Sequence, residues 1–341
     1  MINIAEKEVL ERYLREKQII KPGEPCGILY CSGGVSGTVA LLEREGTPMI
    51  IKQALGQLKT KDVWLCDPNR MYTEYESNRI YHELVPEGAP EVYFYDEENY
   101  IYGREAVPNG YPMWKEELLN GILDFQIAGK AIKTLVRVHN ACSTREDIKE
   151  KFSSKEIFYG LRISPYIQFT LEKHPELREK GDTLCEEMME AKITLVHGDY
   201  SPKNIMVVNR EVQVLDYEVA HFGHPAFDLA FFSNHFILKA VKYSRYPGAY
   251  LSMLRYMVDL YFQEMTCMEK RDFESVYVRV LAFLMLARID GKSPVEYLTG
   301  DEKRRQLVRE ISIAMIQDKV ECFKEAWSFI RNRLEREADG L

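Results

Sequence analysis

The sequence has few of the features that mark disulfide-rich, zinc-binding or membrane-spanning proteins. Its seven cysteines are odd in number, scattered along the chain, and never form a Cys-x-x-Cys pair. This pattern favours reduced thiols over a disulfide framework or a zinc site. No stretch approaches roughly 18 uninterrupted apolar residues, and the N-terminal segment MINIAEKEVLERYLREKQII is a charged amphipathic pattern rather than a signal peptide. We therefore expect a cytoplasmic chain that is neither secreted nor membrane-spanning.

Positive charge is also scarce. The chain has 45 lysines and arginines against 53 acidic residues, a net charge of -8, with no basic stripe and no polybasic segment. Neither nucleic acid nor an anionic membrane surface is therefore an expected partner. By contrast, 46% of the 341 residues are apolar, which is enough for two lobes that each bury a hydrophobic core.

Two kinds of pattern divide the chain. Residues 27 to 105 alternate short apolar runs with turns, which predicts a mostly antiparallel sheet with one helix at about residues 74 to 84. From about Phe125 the apolar residues recur at helical spacing, apart from a short strand pair near residues 204 to 216. Pro and Gly in the segment VPNGYPMW interrupt both patterns. The sequence thus predicts an α+β protein with an N-terminal sheet lobe, a connector and a helical C-terminal lobe, with the lobes at residues 1–103 and 104–341 and the connector near residues 101 to 114.

The segment TLVHGDYSPKNIMVVNREVQVLDYE, residues 194 to 218, carries the clearest chemical signal. An apolar run ends at Asp199, and Asn204 follows five residues later. Asp216 ends the second strand of a predicted hairpin that turns at residues 209 to 211. These oxygen-bearing side chains can converge at one end of a small sheet, and such ligands suit a hard cation such as Mg²⁺.

Lys52 could supply the cation that phosphoryl transfer places on nucleotide phosphates. That chemistry also needs metal ligands and a carboxylate that orients the attacking hydroxyl and accepts its proton. Lys52 lies in the apolar run MIIKQAL, where an ammonium is costly unless it is paired. Glu74 and Glu76 follow on a helix pattern and cannot both face it, and we choose Glu76 as the partner. The alternative is that Lys52 extends its ammonium into water from a strand edge.

The loop SGGVSG, residues 32 to 37, has two interpretations. Its backbone N–H groups could cover nucleotide phosphates, with Gly33, Gly34 and Ser36 as the binding residues. A Gly-Gly turn is also an ordinary connection between two strands. The position of Lys52 after the next strand favours phosphate binding.

The combination of HGDYSPKN and LDYE resembles the aminoglycoside phosphotransferase and choline kinase superfamily, and the resemblance covers most of the chain from about residue 27. It implies a two-lobed protein-kinase-like fold, in which the N-terminal lobe binds ATP and the C-terminal lobe carries the catalytic and substrate residues. The resemblance makes Asp199 the catalytic base and makes Asn204 and Asp216 the magnesium ligands. It also implies that adenine contacts the backbone near Arg104 and Ala106.

Further segments are similar to the methylthioribose kinase branch. They include Glu218 in a D-x-E pattern, GTPMIIKQAL, and ARIDGKSPVEYL at residues 287 to 298. The predicted activity is transfer of the ATP γ-phosphoryl group to a hydroxyl of a small metabolite, with a methylthioribose-like sugar as the leading acceptor. Aminoglycosides, choline and homoserine are the alternative acceptors. Ser201 stands where Ser/Thr protein kinases usually carry a lysine, and no A-P-E segment is present, so a small alcohol is favoured over a protein.

A catalytically silent pseudokinase is the rival from another functional class. It is disfavoured because Lys52, Asp199, Asn204 and Asp216 are all present. Two further polar residues are expected to be structural. Asp228 opens a helix pattern, which suggests an N-cap or first-turn acid, and the resemblance implies that it supports the catalytic loop. His197 is expected to hold that loop by hydrogen bonds rather than to act as a base.

Overall fold

Two structural units make up the chain in the computed structural model, which describes residues 1–31, 37–54, 56, 67–108, 111–243, 246–318 and 320–339. The first unit comprises Met1–Tyr111 and Gln213–Val219, and the second comprises Pro112–Val212 and Ala220–Leu341. The division proposed between residues 103 and 104 stays a prediction. Among the described residues, no helix is both long enough and apolar enough to cross a membrane.

A five-stranded sheet forms the centre of the first unit, and its neighbouring strands are antiparallel in the order β1-β2-β3-β5-β4. The strands are β1 Gly27–Tyr30, β2 Gly37–Glu43, β3 Met49–Ala54, β4 Val92–Asp96 and β5 Ile101–Glu105. Lys52 lies on the central strand β3, opposite Val39 of β2 and Tyr102 of β5. The predicted antiparallel sheet is confirmed. The predicted connector began too early, because residues 101 to 105 pair with both β3 and β4.

Two helices accompany this sheet, α1 Lys7–Glu16 and α2 Arg70–Leu84. Helix α1 buries Leu10, Tyr13 and Leu14, which recur at the spacing of one helix face and pack in one core cluster with apolar residues of β1, β2 and β3. Helix α2 also buries several polar side chains, Arg70, Glu74, Glu76, Ser77 and Asn78. Buried charged groups need partners, so this helix is a place to look for chemistry.

The second unit is mostly helical. Its helices are α3 Trp114–Leu119, α4 Phe125–Cys142, α5 Glu146–Lys151, α6 Glu156–Phe158, α7 Phe169–Lys173, α8 Arg178–Glu190, α9 Ala226–Lys242, α10 Pro247–Glu264, α11 Lys270–Asp290, α12 Glu302–Gln317 and α13 Phe323–Asp339. A π-helical segment, Tyr159–Gln168, precedes α7. The side chain of Asp124 accepts hydrogen bonds from the N–H groups of Gln126 and Ile127 and so caps α4. Helix α9 is buried from Ala226 to Val241, so it lies in the core rather than at the surface.

Short strands surround the residues of the HGD motif. Strand β6 Thr194–Val196 pairs antiparallel with β9 His221–Gly223. Strands β7 Ile205–Val208 and β8 Glu211–Val214 form another two-stranded sheet. Asn209 and Arg210, between β7 and β8, both have positive φ, as the tight turns of hairpins require. The predicted strand pair is therefore present, with its turn close to the expected position.

Candidate active site

Lys52 is held by two carboxylates of the first unit. Its Nζ lies 2.6 Å from Glu74 Oε2 and 2.8 Å from Asp216 Oδ1. The hydroxyl of Tyr102 donates a hydrogen bond of 2.9 Å to the other oxygen of Glu74. Burial by itself lowers the pKa of Lys52, but the charges of Asp216 and Glu74 outweigh it and raise this pKa well above its ordinary value. Lys52 is therefore a buried, charged ammonium in a defined position.

The expected pairing of Lys52 with Glu76 is wrong, because Glu74 occupies that place. The carboxylate of Glu76 instead lies 3.0 Å from Arg79 on its own helix. Residues two apart on a helix point to different sides, so only one of the two glutamates can face β3. Met71, one turn before Glu74, packs against the sheet and thereby sets this rotation of α2. The spacing of Met71 and Glu74 is the sequence signal that could have identified the partner.

A second ion pair lies beside the first. Arg70, whose side chain is fully buried, has its Nε 3.1 Å from Glu218 Oε2. Carboxylate oxygens of Glu74, Asp216 and Glu218 all lie within 4.8 Å of one another. Burial, followed by the charge of Asp216, raises the pKa of Glu218. Asp216 thus belongs to a group of three carboxylates, the kind of oxygen-rich donor set that a hard divalent cation binds. Its surroundings fit the magnesium ion that the motif implies at this residue.

The backbone of Asp216 has an uncommon conformation, with φ of 69°. This left-handed region is costly for most side chains and is more accessible to Asp and Asn, which bond their own backbone. Strained residues of this kind cluster at functional sites. The conformation is a further reason to regard Asp216 as a functional residue.

Asp199, the carboxylate of the HGD motif, lies in the second unit and is held by several side chains. It is only 3% exposed. Arg162 Nη2 lies 3.0 Å from Oδ1 and Lys203 Nζ lies 2.8 Å from Oδ2, while the amide nitrogen of Asn204 donates a bond of 2.8 Å to Oδ2. These groups hold the carboxylate in one orientation. Because the amide nitrogen of Asn204 faces Asp199, its Oδ1 is the end that can bind a cation.

The loop that carries Asp199 is braced from below by Asp228, which is fully buried. Asp228 accepts hydrogen bonds from the backbone N–H of His197 at 2.7 Å and of Gly198 at 2.8 Å, and its Oδ2 lies 3.2 Å from His139 Nε2. Burial opposes ionisation, but the hydrogen bond and charge of His139 are among the contacts that lower the pKa of Asp228 below its ordinary value. Asp228 is the third residue of α9 and so is a first-turn acid rather than the N-cap.

His197 takes the structural part expected of it. Its Nδ1 accepts a hydrogen bond of 3.2 Å from the backbone N–H of Asp199. Gly198 between them has φ of 75°, a conformation that glycine adopts without steric cost. The geometry of the HGD loop therefore depends on the glycine and on several side chains that hold its backbone, His197 and Asp228 among them.

The remaining predicted nucleotide-binding residues have different outcomes. Gly33, Gly34 and Ser36 lie outside the described residues. Arg104 lies on β5, and its side chain donates to the backbone carbonyl of Glu105 at 2.8 Å. The backbone N–H of Ala106 donates to the carbonyl of Pro48 at 3.0 Å, so it extends the pairing of the sheet. The proposed adenine contacts near these residues stay a prediction.

Sequence reasoning missed Arg162. This residue lies on the π-helical segment Tyr159–Gln168, and its Nε also donates to the carbonyl of Gly198 at 2.7 Å. It thus contacts both the backbone and the carboxylate of the HGD loop. No local pattern marks an arginine that meets a loop 36 residues later in the chain.

The chain matches a known protein family. The APH phosphotransferase enzyme family matches residues 76–250, about half of the sequence. The chain belongs to this family. Methylthioribose kinase 2 of Oryza sativa subsp. japonica is 23% identical over an alignment of 218 residues that covers 56% of this chain and 51% of that protein. Ethanolamine kinase 2 of Rattus norvegicus is 28% identical over an alignment of 130 residues that covers 36% of this chain and 33% of that protein.

The chain therefore spans about half the length of the methylthioribose kinases that it matches. Solved structures give the fold over nearly the whole chain. A choline kinase from Cryptosporidium parvum has a TM-score of 0.53 at 12% identity and covers 98% of this chain and 96% of that one. A choline/ethanolamine kinase family protein from Mesorhizobium loti has a TM-score of 0.51 at 11% identity, covering 95% and 98% respectively. The predicted family and the predicted kinase-like α+β fold are confirmed.

Proposed function

We propose that this APH-family phosphotransferase is an ATP-dependent kinase that phosphorylates a hydroxyl group of a small metabolite. The surroundings of Asp199 support the proposal most directly. A buried carboxylate bonded to Arg162, Lys203 and Asn204, on a loop braced by Asp228, is suited to orient an alcohol and to accept its proton.

Each of the remaining residues has a proposed part in the transfer. The acceptor oxygen forms a bond to the γ-phosphorus, the bond from that phosphorus to the bridging oxygen of ADP breaks, and the hydroxyl proton passes to Asp199. Lys52, held by Glu74, contacts the α- and β-phosphates. Asn204 and Asp216 bind magnesium, which supplies positive charge to the phosphates when it is bound. These parts follow the motif positions and the donor atoms present.

A methylthioribose-like sugar is the acceptor class that we favour within this function. The similarity to the methylthioribose kinases of Oryza sativa supports it. An amino alcohol is the second candidate, because ethanolamine kinase 2 of Rattus norvegicus is also similar. Aminoglycosides and homoserine complete the set of candidate acceptors to test.

The experiment is ADP release with Mg-ATP over a panel of methylthioribose, ethanolamine, choline, homoserine and an aminoglycoside, with an Asp199→Asn variant beside the natural chain. Asparagine keeps the shape but cannot accept the proton, so acceptor-dependent turnover should fall about 10²- to 10⁴-fold. Full activity in the variant would mean that Asp199 is not the base. ATP binding without turnover of any acceptor would favour the pseudokinase.

A further inference from the structure

A group of cationic side chains lies in the second unit; three of them are buried, and two of them contact Asp199. We call Lys115, Arg162, Lys203, Lys239 and Arg288 the basic cluster. They come from α3, the π-helical segment, the turn after Asp199, α9 and α11. Arg162 and Lys203 contact Asp199, and Lys115 forms an ion pair with Glu296. Three buried cations in one group are unexpected in a chain whose net charge is -8.

Two members of the basic cluster lack an acidic partner. Among the described residues, no carboxylate lies within ion-pair distance of Lys239, which is fully buried, or of Arg288, which is 9% exposed. Lys239 Nζ has only the carbonyl of His235, at 3.3 Å, and the face of the Tyr297 ring, 5.2 Å from its centroid. Arg288 Nη1 reaches Tyr166 and Ser293, but its Nε has no hydrogen-bond partner among these residues. A buried cation without an anion is costly, and aromatic faces offset that cost only partly.

Other buried polar atoms nearby are also without partners in the described part of the chain. His235 is 6% exposed and its Nε2 has no hydrogen-bond partner, and neither does the hydroxyl of Tyr297. Burial, followed by the charges of Lys239, Arg288, Lys203 and Lys115, lowers the pKa of His235 well below its ordinary value. The ring therefore lies within electrostatic reach of four cations. Burial, followed by the charge of Lys115, also lowers the pKa of Lys239, to about 7.

Arg288 lies against the same aromatic ring as Arg162, which contacts the proposed base Asp199. The guanidinium carbons of Arg162 and Arg288 lie 5.7 and 5.8 Å from the centroid of the same Tyr166 ring. Arg162 in turn lies 3.0 Å from Asp199. On the other side, the Phe231 ring lies 5.5 Å from Arg162 and 5.6 Å from the His235 ring. Arg288 is thus linked to the proposed base Asp199 through the Tyr166 ring and Arg162.

We propose that the phosphoryl acceptor carries a carboxylate or phosphate group, which Arg288, Lys239 and His235 bind while its hydroxyl faces Asp199. The proposal rests on the proposed kinase function and changes its acceptor from uncharged methylthioribose to an anionic hydroxy compound, such as a sugar that also carries a carboxylate or phosphate group. It argues against choline, ethanolamine and aminoglycosides, because a cationic acceptor would add positive charge where positive charge is already in excess.

Small hydroxy compounds that differ in charge test directly whether the acceptor site prefers an anion. Isothermal titration of the nucleotide-free protein would compare ribose, ribonate, ribose 5-phosphate and choline, and ADP release with Mg-ATP would be measured for the same four compounds. We expect ribonate or ribose 5-phosphate to bind about tenfold or more tightly than ribose, and choline to bind more weakly than ribose. The ribonate and ribose 5-phosphate arms distinguish a carboxylate site from a phosphate site.

Variants assign the binding to the cluster. Arg288→Gln and Lys239→Met should each weaken binding of the preferred anion about thirtyfold or more, and leave the affinity for ribose within about threefold. Lys239→Met retains the volume of the side chain without its charge, so it should fold even if Arg288→Gln does not. Arg279→Gln is the matched control, since Arg279 lies on the same helix and pairs with Glu187 at 2.7 Å instead.

The two proposals fail in different ways. Equal affinity for ribose, choline and the anions, or an equal loss of all of them in the variants, would overturn the anion site. Choline-dependent ADP release that the variants leave unchanged would also overturn it and would leave the kinase proposal intact. Anion binding that the variants abolish, without ADP release from any acceptor, would support the anion site and count against the kinase.

Discussion

Replacement of Glu74 by glutamine removes one of the two carboxylates that hold Lys52 in the first unit. The buried ammonium then keeps only Asp216, and the hydroxyl of Tyr102 loses a charged acceptor. Hydrogen bonds to charged groups contribute about 1.5–3 kcal/mol, so the free energy of unfolding should fall by about 2–3 kcal/mol. Glu76→Gln is the matched change two residues away. Arg79, with which Glu76 pairs, is 46% exposed, so water weakens this ion pair and the loss should be smaller than at Glu74, about 0.5–1 kcal/mol.

Urea unfolding at pH 7, followed by circular dichroism, measures both losses. The KM for ATP, from ADP release, gives a second readout, because a displaced Lys52 should raise it in Glu74→Gln and leave it unchanged in Glu76→Gln. The pairing of Lys52 with Glu74 is refuted if Glu76→Gln lowers the free energy of unfolding as much as Glu74→Gln does. It also fails if Glu76→Gln alone raises the KM for ATP, since Glu76 would then be the partner of Lys52 in the working enzyme.

Further changes test other parts of the candidate site and one buried histidine, His224, whose Nδ1 accepts a hydrogen bond from the backbone N–H of Ala226 at the start of α9. Asp228→Asn turns an amide N–H₂ group toward the backbone N–H groups of the HGD loop, so the free energy of unfolding should fall by about 2–4 kcal/mol. In steady-state kinetics kcat should fall while the KM for ATP stays within about twofold. An unchanged kcat would mean that Asp228 does not support the loop. Chelation of magnesium should abolish ADP release. Asp216→Asn should raise the Mg²⁺ concentration for half-maximal rate tenfold or more, about 1.4 kcal/mol, and asparagine tolerates the same positive φ as the aspartate. An unaltered Mg²⁺ dependence would exclude Asp216 as a ligand. Burial, followed by the charge of Arg279, lowers the pKa of His224 to about 4, so the unfolded chain binds this proton more readily than the folded chain does. The free energy of unfolding should therefore fall by about 2 kcal/mol as the pH drops from about 7 to about 5. In urea titrations His224→Gln should remove most of that loss, and an equal pH dependence in the variant would contradict the prediction.

Local sequence determined the parts of this protein that depend on neighbours in the chain. Alternation of apolar residues between 27 and 105 predicts the antiparallel sheet, since side chains of a strand alternate between its two faces. The helical spacing after residue 124 predicts α4 and its buried face. Asn204 lies five residues after Asp199, close enough in the chain for its amide to bond that carboxylate. The same short range makes the HGD and DYE motifs recognisable without a structure.

Tertiary structure decided which charged groups meet. Periodicity places Glu74 and Glu76 on one helix but does not set its rotation, which depends on Met71 packing against the sheet. The contact of Arg162 with Asp199 joins segments that no local pattern relates, and so does the contact of His139 with Asp228.

The basic cluster is the extreme case, because its members come from separate elements and each one alone is an ordinary lysine or arginine in the sequence. The burial of Arg162, Lys239 and Arg288 creates a local excess of positive charge that composition cannot show, since the whole chain is acidic. Local periodicity encodes which face of an element is buried. The packing of distant elements alone determines which polar groups are buried together and what ligand they suit.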